Sequence, residues 1–187
     1  MTTERPFEPW TQLKYYAEAG ESLELEAFIT AIGPSESFRA LLRLEPEDRE
    51  RVLTTLPAAG AAELIAEIPD AQAATFMGEL EVSEAASIVS AMPSAEQANI
   101  LADMRDDSAE AILSEMAPAI AADVRELIRY PSDVAGGLMA TEFLSFEDTT
   151  TVGEIRHVLG EWVESHPQQE VHAYVVSPAQ VLIGAID

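Results

Sequence analysis

The sequence predicts a mainly α fold: a right-handed superhelical α-solenoid of short helices, with 12-residue units paired into 24-residue hairpins, followed by a partial α/β unit. Three observations predict it. An apolar position recurs every 12 residues through more than half of the chain, a tract with proline and two glycines from Tyr130 to Met139 ends that pattern, and the residues beyond it mix one helical stripe with short apolar strands. The expected divisions are an N-terminal helical segment (1–20), the repeat domain (21–130), a joint (131–141) and the partial α/β domain (142–187). A chain of 187 residues with 48% hydrophobic content can bury a core in one ordinary domain or two small ones.

In the first segment Trp10 to Ala19 reads as a short helix, and Gly20 is placed to end it as a left-handed cap. Its aromatic residues Trp10, Tyr15 and Tyr16 are expected to cover the end of the body that follows.

The repeat is clearest from its anchors: Ile32, Leu44, Leu56, Ile68, Leu80, Met92, Met104, Met116 and Ile128 lie 12 positions apart and are all apolar. Four residues before them stand Phe28, Ala40, Val52, Leu64, Phe76, Ile88, Ile100, Ile112 and Val124. Three before stand Ile29, Leu41, Leu53, Ile65, Met77, Val89, Leu101, Leu113 and, as the one break, Arg125; alanine is frequent seven before. Offsets of zero, three, four and seven trace one face of an α-helix, so each unit is one short amphipathic helix. Pro57, Pro69 and Pro93 open units where a missing N–H costs least, and Ser94 with Gln97 and Asp107 with Glu110 have capping-box spacing. A helix of about nine residues is marginal alone in water, so stability must come from stacking on neighbours. The methionine anchors are read as core filling.

Charge sets the outer limits on function. The chain has 34 Asp+Glu against 10 Lys+Arg, a formal net charge of −24, which repels nucleic acid and anionic lipid and attracts cations or basic partners. There is no cysteine, hence no disulfide framework and no thiolate metal site. No run approaches the roughly 18 apolar residues of a membrane-spanning helix, and the first residues lack a signal-peptide pattern, so a soluble chain without direct membrane contact is expected. Between Arg51 and Arg105 there is no Lys or Arg, while Glu63, Glu67, Asp70, Glu79, Glu81, Glu84, Glu96 and Asp103 fall there. A solvated acidic face is the plain reading; a surface recruiting hard divalent cations, which prefer carboxylate oxygens, is the functional one. Asp103, Asp106 and Asp107 form the tightest acidic group.

Beyond the joint, Phe143 to Phe146 reads as a strand, and Thr151 with Glu154 caps a helix whose stripe is Val152, Ile155, Leu159, Trp162 and Val163. His172 to Val176 and Val181 to Ile186 then read as a hairpin around Ser177–Gln180. Proline in Pro131 disfavours helix at Tyr130, and Gly136-Gly137 opens further backbone angles, so the tract is a linker on composition alone.

With the solenoid before it and the strand-helix-hairpin after it, the tract resembles the cytosolic part of the MgtE family of bacterial magnesium transporters and channels. The family joint Tyr-Pro-x-Asp-x-Ala-Gly-Gly-Leu-Met is matched at Tyr130, Pro131, Asp133, Ala135, Gly136, Gly137, Leu138 and Met139. The resemblance covers about residues 21–187. It implies a regulatory solenoid, the start of the first of two CBS domains, and Mg2+ bound between them favouring a closed state. Implied metal residues are Asp103, Asp106 and Asp107, facing Glu147 and Asp148. Implied partners are Mg2+, the second CBS domain and a membrane domain, within a homodimeric parent at the cytosolic face of the bacterial inner membrane. The chain stops about where the final helix of the first CBS domain would begin, so it is not expected to conduct the ion. Pro178-Ala179-Gln180 replaces the family's Asp/Gly turn, and Asp187 stands where Ser or Thr often begins the nucleotide-contacting stretch; nucleotide binding is therefore not expected. A reading of another class is a protein-binding solenoid like that of the flagellar switch protein FliG. Catalysis is not expected: His157, His166 and His172 show no spacing tied to a nucleophile or a zinc site.

Overall fold

The computed structural model describes residues 8–130, 134–141, 143–165 and 173–186. Pro131 and Asp133 of the joint, His166, His172 and Asp187 lie outside the described residues. Two compact units result, residues 1–139 and 140–187.

Among the described residues the first unit holds ten α-helices: α1 (Pro9–Ala19), α2 (Ser22–Ile32), α3 (Pro34–Leu42), α4 (Pro46–Thr55), α5 (Ala58–Ala66), α6 (Asp70–Met77), α7 (Val82–Ser90), α8 (Ser94–Ala102), α9 (Asp106–Glu115) and α10 (Pro118–Leu127). Gly20 does cap α1 in the left-handed region, at φ 69°. Trp10 and Tyr16 pack against the core as expected, but Tyr15 is 57% exposed.

From α5 onward each helix packs mainly on the helix two along, α5 on α7, α7 on α9, α6 on α8 and α8 on α10, whereas α3 and α4 touch α5 and α6 more lightly and pack mainly on α1. The 24-residue period is thus the stacking distance of like on like. One continuous core runs from Leu13 to Leu127 and contains the residues three and four before most anchors. The anchors themselves mostly lie just past the helices. Leu44, Ile68, Leu80, Met92 and Met104 close a tight final turn by donating their N–H to the carbonyl three residues back, at 2.9–3.4 Å. This tightening satisfies carbonyls that a helix end leaves open and turns the chain within a few residues.

Two expected capping boxes do not form. Pro93 and Arg105, not Ser94 and Asp107, occupy the N-cap positions of α8 and α9. Gln97 instead donates from Nε2 to the Met92 carbonyl at 2.7 Å, and Glu110 pairs with Arg125 at 2.6 Å. Gln97 is seven residues before its anchor, the alanine position. Ser37 and Arg49 occupy the same register, and all three are buried. Each meets carbonyls at the end of the preceding helix: Ser37 Oγ donates to Gly33 at 2.8 Å, and Arg49 donates to Leu41 at 3.1 Å and Leu44 at 2.9 Å. In this register, which otherwise holds alanine or, at Leu25, leucine, these three side chains add a donor to carbonyls at the preceding turn.

At the joint a 3-10 turn spans Ala135–Leu138 and packs on α8. A Cβ on Gly136 would lie 2.4 Å from Cδ1 of the Tyr130 ring. Positive φ is found only at Gly20, Gly33 and Gln180 among the described residues, so Gly136 serves close approach and not the backbone freedom inferred from its sequence.

In the second unit β1 (Leu144–Glu147) pairs in parallel with β2 (Ala173–Val176), across helix α11 (Val152–Ser165), and β2 pairs antiparallel with β3 (Leu182–Ile186). The Thr151–Glu154 capping box forms reciprocally: the Thr151 N–H donates to Glu154 Oε2 at 2.9 Å, and the Glu154 N–H to Thr151 Oγ1 at 3.4 Å. Of the expected stripe, Ile155 is buried and Leu159 packs beside it, while Val152 is 73% and Val163 49% exposed. The α11 residues that join the small core are Ile155 and Leu159, in the first eight positions of a 14-residue helix.

Candidate metal site

The acidic turn between α8 and α9 follows from the repeat. Met104, the anchor, is half-buried against the core, and it separates Asp103, the C-cap of α8, from Asp106 and Asp107 in the first turn of α9. All three carboxylates are exposed. Their electrostatic settings differ. Asp106 and Asp107 stand at a helix N-terminus, whose partial positive charge favours them; Asp103 stands at a C-terminus, which disfavours an anion. Arg105 Nε lies 3.4 Å from Asp107 Oδ1, and the Ser108 N–H donates to the same oxygen at 2.9 Å. Asp103 and Asp106 have no ion-pair partner among the described residues. A cation at this turn would relieve Asp103 most.

Glu147 closes β1 and Asp148 follows it; both are exposed, and the Asp148 N–H donates to the Val176 carbonyl at 3.1 Å. They belong to the second unit and the three aspartates to the first. Among the described residues no three His, Asp or Glu side chains gather closely enough to enclose a metal. Mg2+ keeps several waters and is commonly held by one or two carboxylates, so hard oxygens on an open turn suit it better than a cation needing a full protein cage.

The run without Lys or Arg is less uniform than its sequence. Glu79 pairs with Arg49 at 2.5 Å, thirty residues away, and the Arg49 guanidinium lies 4.2 Å from the Phe76 ring centre. A second group of carboxylates, missed from the sequence, surrounds a groove between α2 and α5: Glu26, Glu63 and Glu67. Only the spacing of Glu63 and Glu67 on one helix could have hinted at it, because α2 reaches α5 through the tertiary fold.

These features define an acidic helical-repeat protein whose stack of short helices precedes a small β-α-β unit. Residues 32–133 match the MgtE intracellular N domain, and the chain belongs to that family. Among solved structures, the cytosolic domain of the Mg2+ channel MgtE in complex with ATP is similar at a TM-score of 0.78 and 26% identity, covering 95% of this chain and 73% of that one. The soluble part of a magnesium transporter shares the fold at a TM-score of 0.76 and 23% identity, covering 96% of this chain and 71% of that one. No curated protein matches the sequence significantly. None of the described helices is long and apolar enough to cross a membrane.

Proposed function

We propose that this chain is the cytosolic Mg2+-sensing region of an MgtE-type magnesium transporter and catalyses no reaction. The family match over residues 32–133, which includes the acidic turn, carries this reading. In the proposed mechanism Asp103, Asp106 and Asp107 of the helical unit and Glu147 and Asp148 of the CBS-like unit repel one another without metal. Mg2+ joins them through one or two direct carboxylate contacts per ion and its retained waters. Binding favours a closed arrangement about the tract at Tyr130–Met139, and the coupling is reciprocal: whatever closes the units tightens metal binding by the same factor. The parent's second CBS domain and membrane domain, and a homodimeric assembly, are partners in this scheme.

Millimolar Mg2+ is expected to raise the melting temperature and compact the chain more than sodium at equal ionic strength. Asp103→Asn with Asp106→Asn should remove that excess. Equal responses to the two salts would reduce the effect to screening and defeat the sensing role.

A further inference from the structure

The stacking rule breaks once, at its start. Helix α4 receives α1 where the rule would bring α2: Lys14 Nζ lies 2.5 Å from Asp48 Oδ2, Arg51 Nη1 lies 3.8 Å from Glu18 Oε1, and Thr55 Oγ1 donates to the Ala17 carbonyl at 3.5 Å. Helix α2 packs chiefly on α1 and α3 and is left with its own stripe partly uncovered. The residue three before the anchor is buried in seven consecutive units, from Leu41 to Leu113, but its counterpart Ile29 on α2 is only half-buried.

The result is an open groove of about 270 Å³ between α2 and α5. Ile29, Leu56 and Leu64 form its floor, and Glu26, Glu63 and Glu67 stand around it. None of the three carboxylates has an ion-pair partner among the described residues, and no Lys or Arg occurs in sequence between Arg51 and Arg105 to supply one. The floor consists of stripe positions, which further along the stack are covered by another helix.

We propose that this groove docks an amphipathic helix from another protein, with an apolar face for the floor and lysine or arginine beside it for the three glutamates. Charge complementarity selects that occupant. A second copy of this chain, with 34 Asp+Glu to 10 Lys+Arg, offers this acidic rim chiefly like charge, and nucleic acid and anionic lipid are repelled. A small amine would leave the apolar floor wet, whereas a helix laid in a groove buries it. The site lies away from the α8–α9 turn in sequence and does not depend on the Mg2+ reading.

The test uses the full chain, a short lysine-leucine peptide of helical periodicity, and a charge-matched analogue with serine for each leucine. Glu63→Gln with Glu67→Gln should weaken the leucine peptide about tenfold. Gly60→Leu should weaken it as much by filling the groove: a Cβ there meets Glu26 Oε1 at 3.6 Å and Pro57 Cδ at 3.8 Å, ordinary contacts, a helical position gains from losing glycine, and an unchanged far-ultraviolet melt checks that the variant folds. Glu81→Gln with Glu115→Gln, an equal change of charge elsewhere, should leave binding unchanged. Equal weakening by this control pair, equal affinity of the serine analogue, or indifference to Gly60→Leu overturns the proposal. So does a result in which Gly60→Leu blocks added Mg2+ and not the peptide, which would make the groove a cation site.

Discussion

The two units solve the same problem, hiding apolar surface with short elements, by opposite means. The helical unit repeats one amphipathic helix until every stripe but the first meets a neighbour, and its core is continuous from Leu13 to Leu127. Among the described residues the β-α-β unit buries three side chains, Phe146, Ile155 and Ala173, and leaves Val181, Leu182 and Ile183 exposed. Repetition lets each weak element borrow stability from the next, with the cost that a fault propagates along the stack. A single small sheet has no neighbour to borrow from, so local devices such as the Thr151–Glu154 cap carry a larger share of its order.

The strongest test of this contrast is Arg49→Ala. By the repeat alone it is a consensus change, since Ala61, Ala73 and Ala85 occupy the same register and are buried there. The contacts argue otherwise. Alanine would leave the Leu44 carbonyl without its Arg49 donor, the Leu41 carbonyl with the Leu44 N–H but not the guanidinium, and Glu79 without its partner. Buried groups stripped of partners cost about 3 kcal/mol together, and the stack should pass that loss on as one cooperative shift of its melting or denaturant midpoint. A neutral result would show that register, and not carbonyl capping, sets this position.

The difference between register and capping also marks how far the sequence could be read. The 12-residue stripe was legible because burial of a helix face needs only offsets of zero, three, four and seven, and the chain supplies an apolar anchor and an apolar residue four before it nine times. The Thr151–Glu154 box was legible because its two partners are local. The Ser94–Gln97 and Asp107–Glu110 boxes were misread because the chain enters α8 and α9 at Pro93 and Arg105, moving each candidate inside the helix and freeing Gln97 and Glu110 for the Met92 carbonyl and Arg125. Pairings such as Arg49–Glu79 and the Glu26–Glu63–Glu67 rim join residues dozens of positions apart, and no spacing rule reaches that far. The acidic turn at Asp103–Asp107 was visible as composition; its setting, with one carboxylate at a helix C-terminus and two at an N-terminus, required the exact helix ends.

A smaller effect is expected at the joint, where Gly136→Ala tests whether the tract belongs to the stack or merely trails from it. The added methyl would meet the Tyr130 ring at 2.4 and 2.6 Å, so ring or turn must move, at about 1–3 kcal/mol for an overpacked contact. Hydrogen exchange should quicken at residues 134–139. In the Tyr130→Ala background the same change should cost little, because the ring that it strikes is gone. Equal costs in both backgrounds would place the role of Gly136 in its backbone and detach the turn from Tyr130.

The smallest effect belongs to the small unit and depends on pH. Glu154 is held below the usual carboxylate range, first by the Thr151 backbone N–H and then by the Thr151 hydroxyl. A carboxyl depressed on folding stabilises the folded state above its ordinary value near 4.5, and the contribution fades as pH falls through the folded value. Thr151→Ala, which removes the cap hydroxyl, should cost about 1 kcal/mol at neutral pH, read from tryptophan fluorescence of Trp162 on α11. Glu154→Gln should flatten the acid side of that unfolding curve and leave the helical unit's far-ultraviolet transition where it was. If the acid limb keeps its slope in Glu154→Gln, other carboxylates set the acid sensitivity of this unit and the cap serves geometry alone.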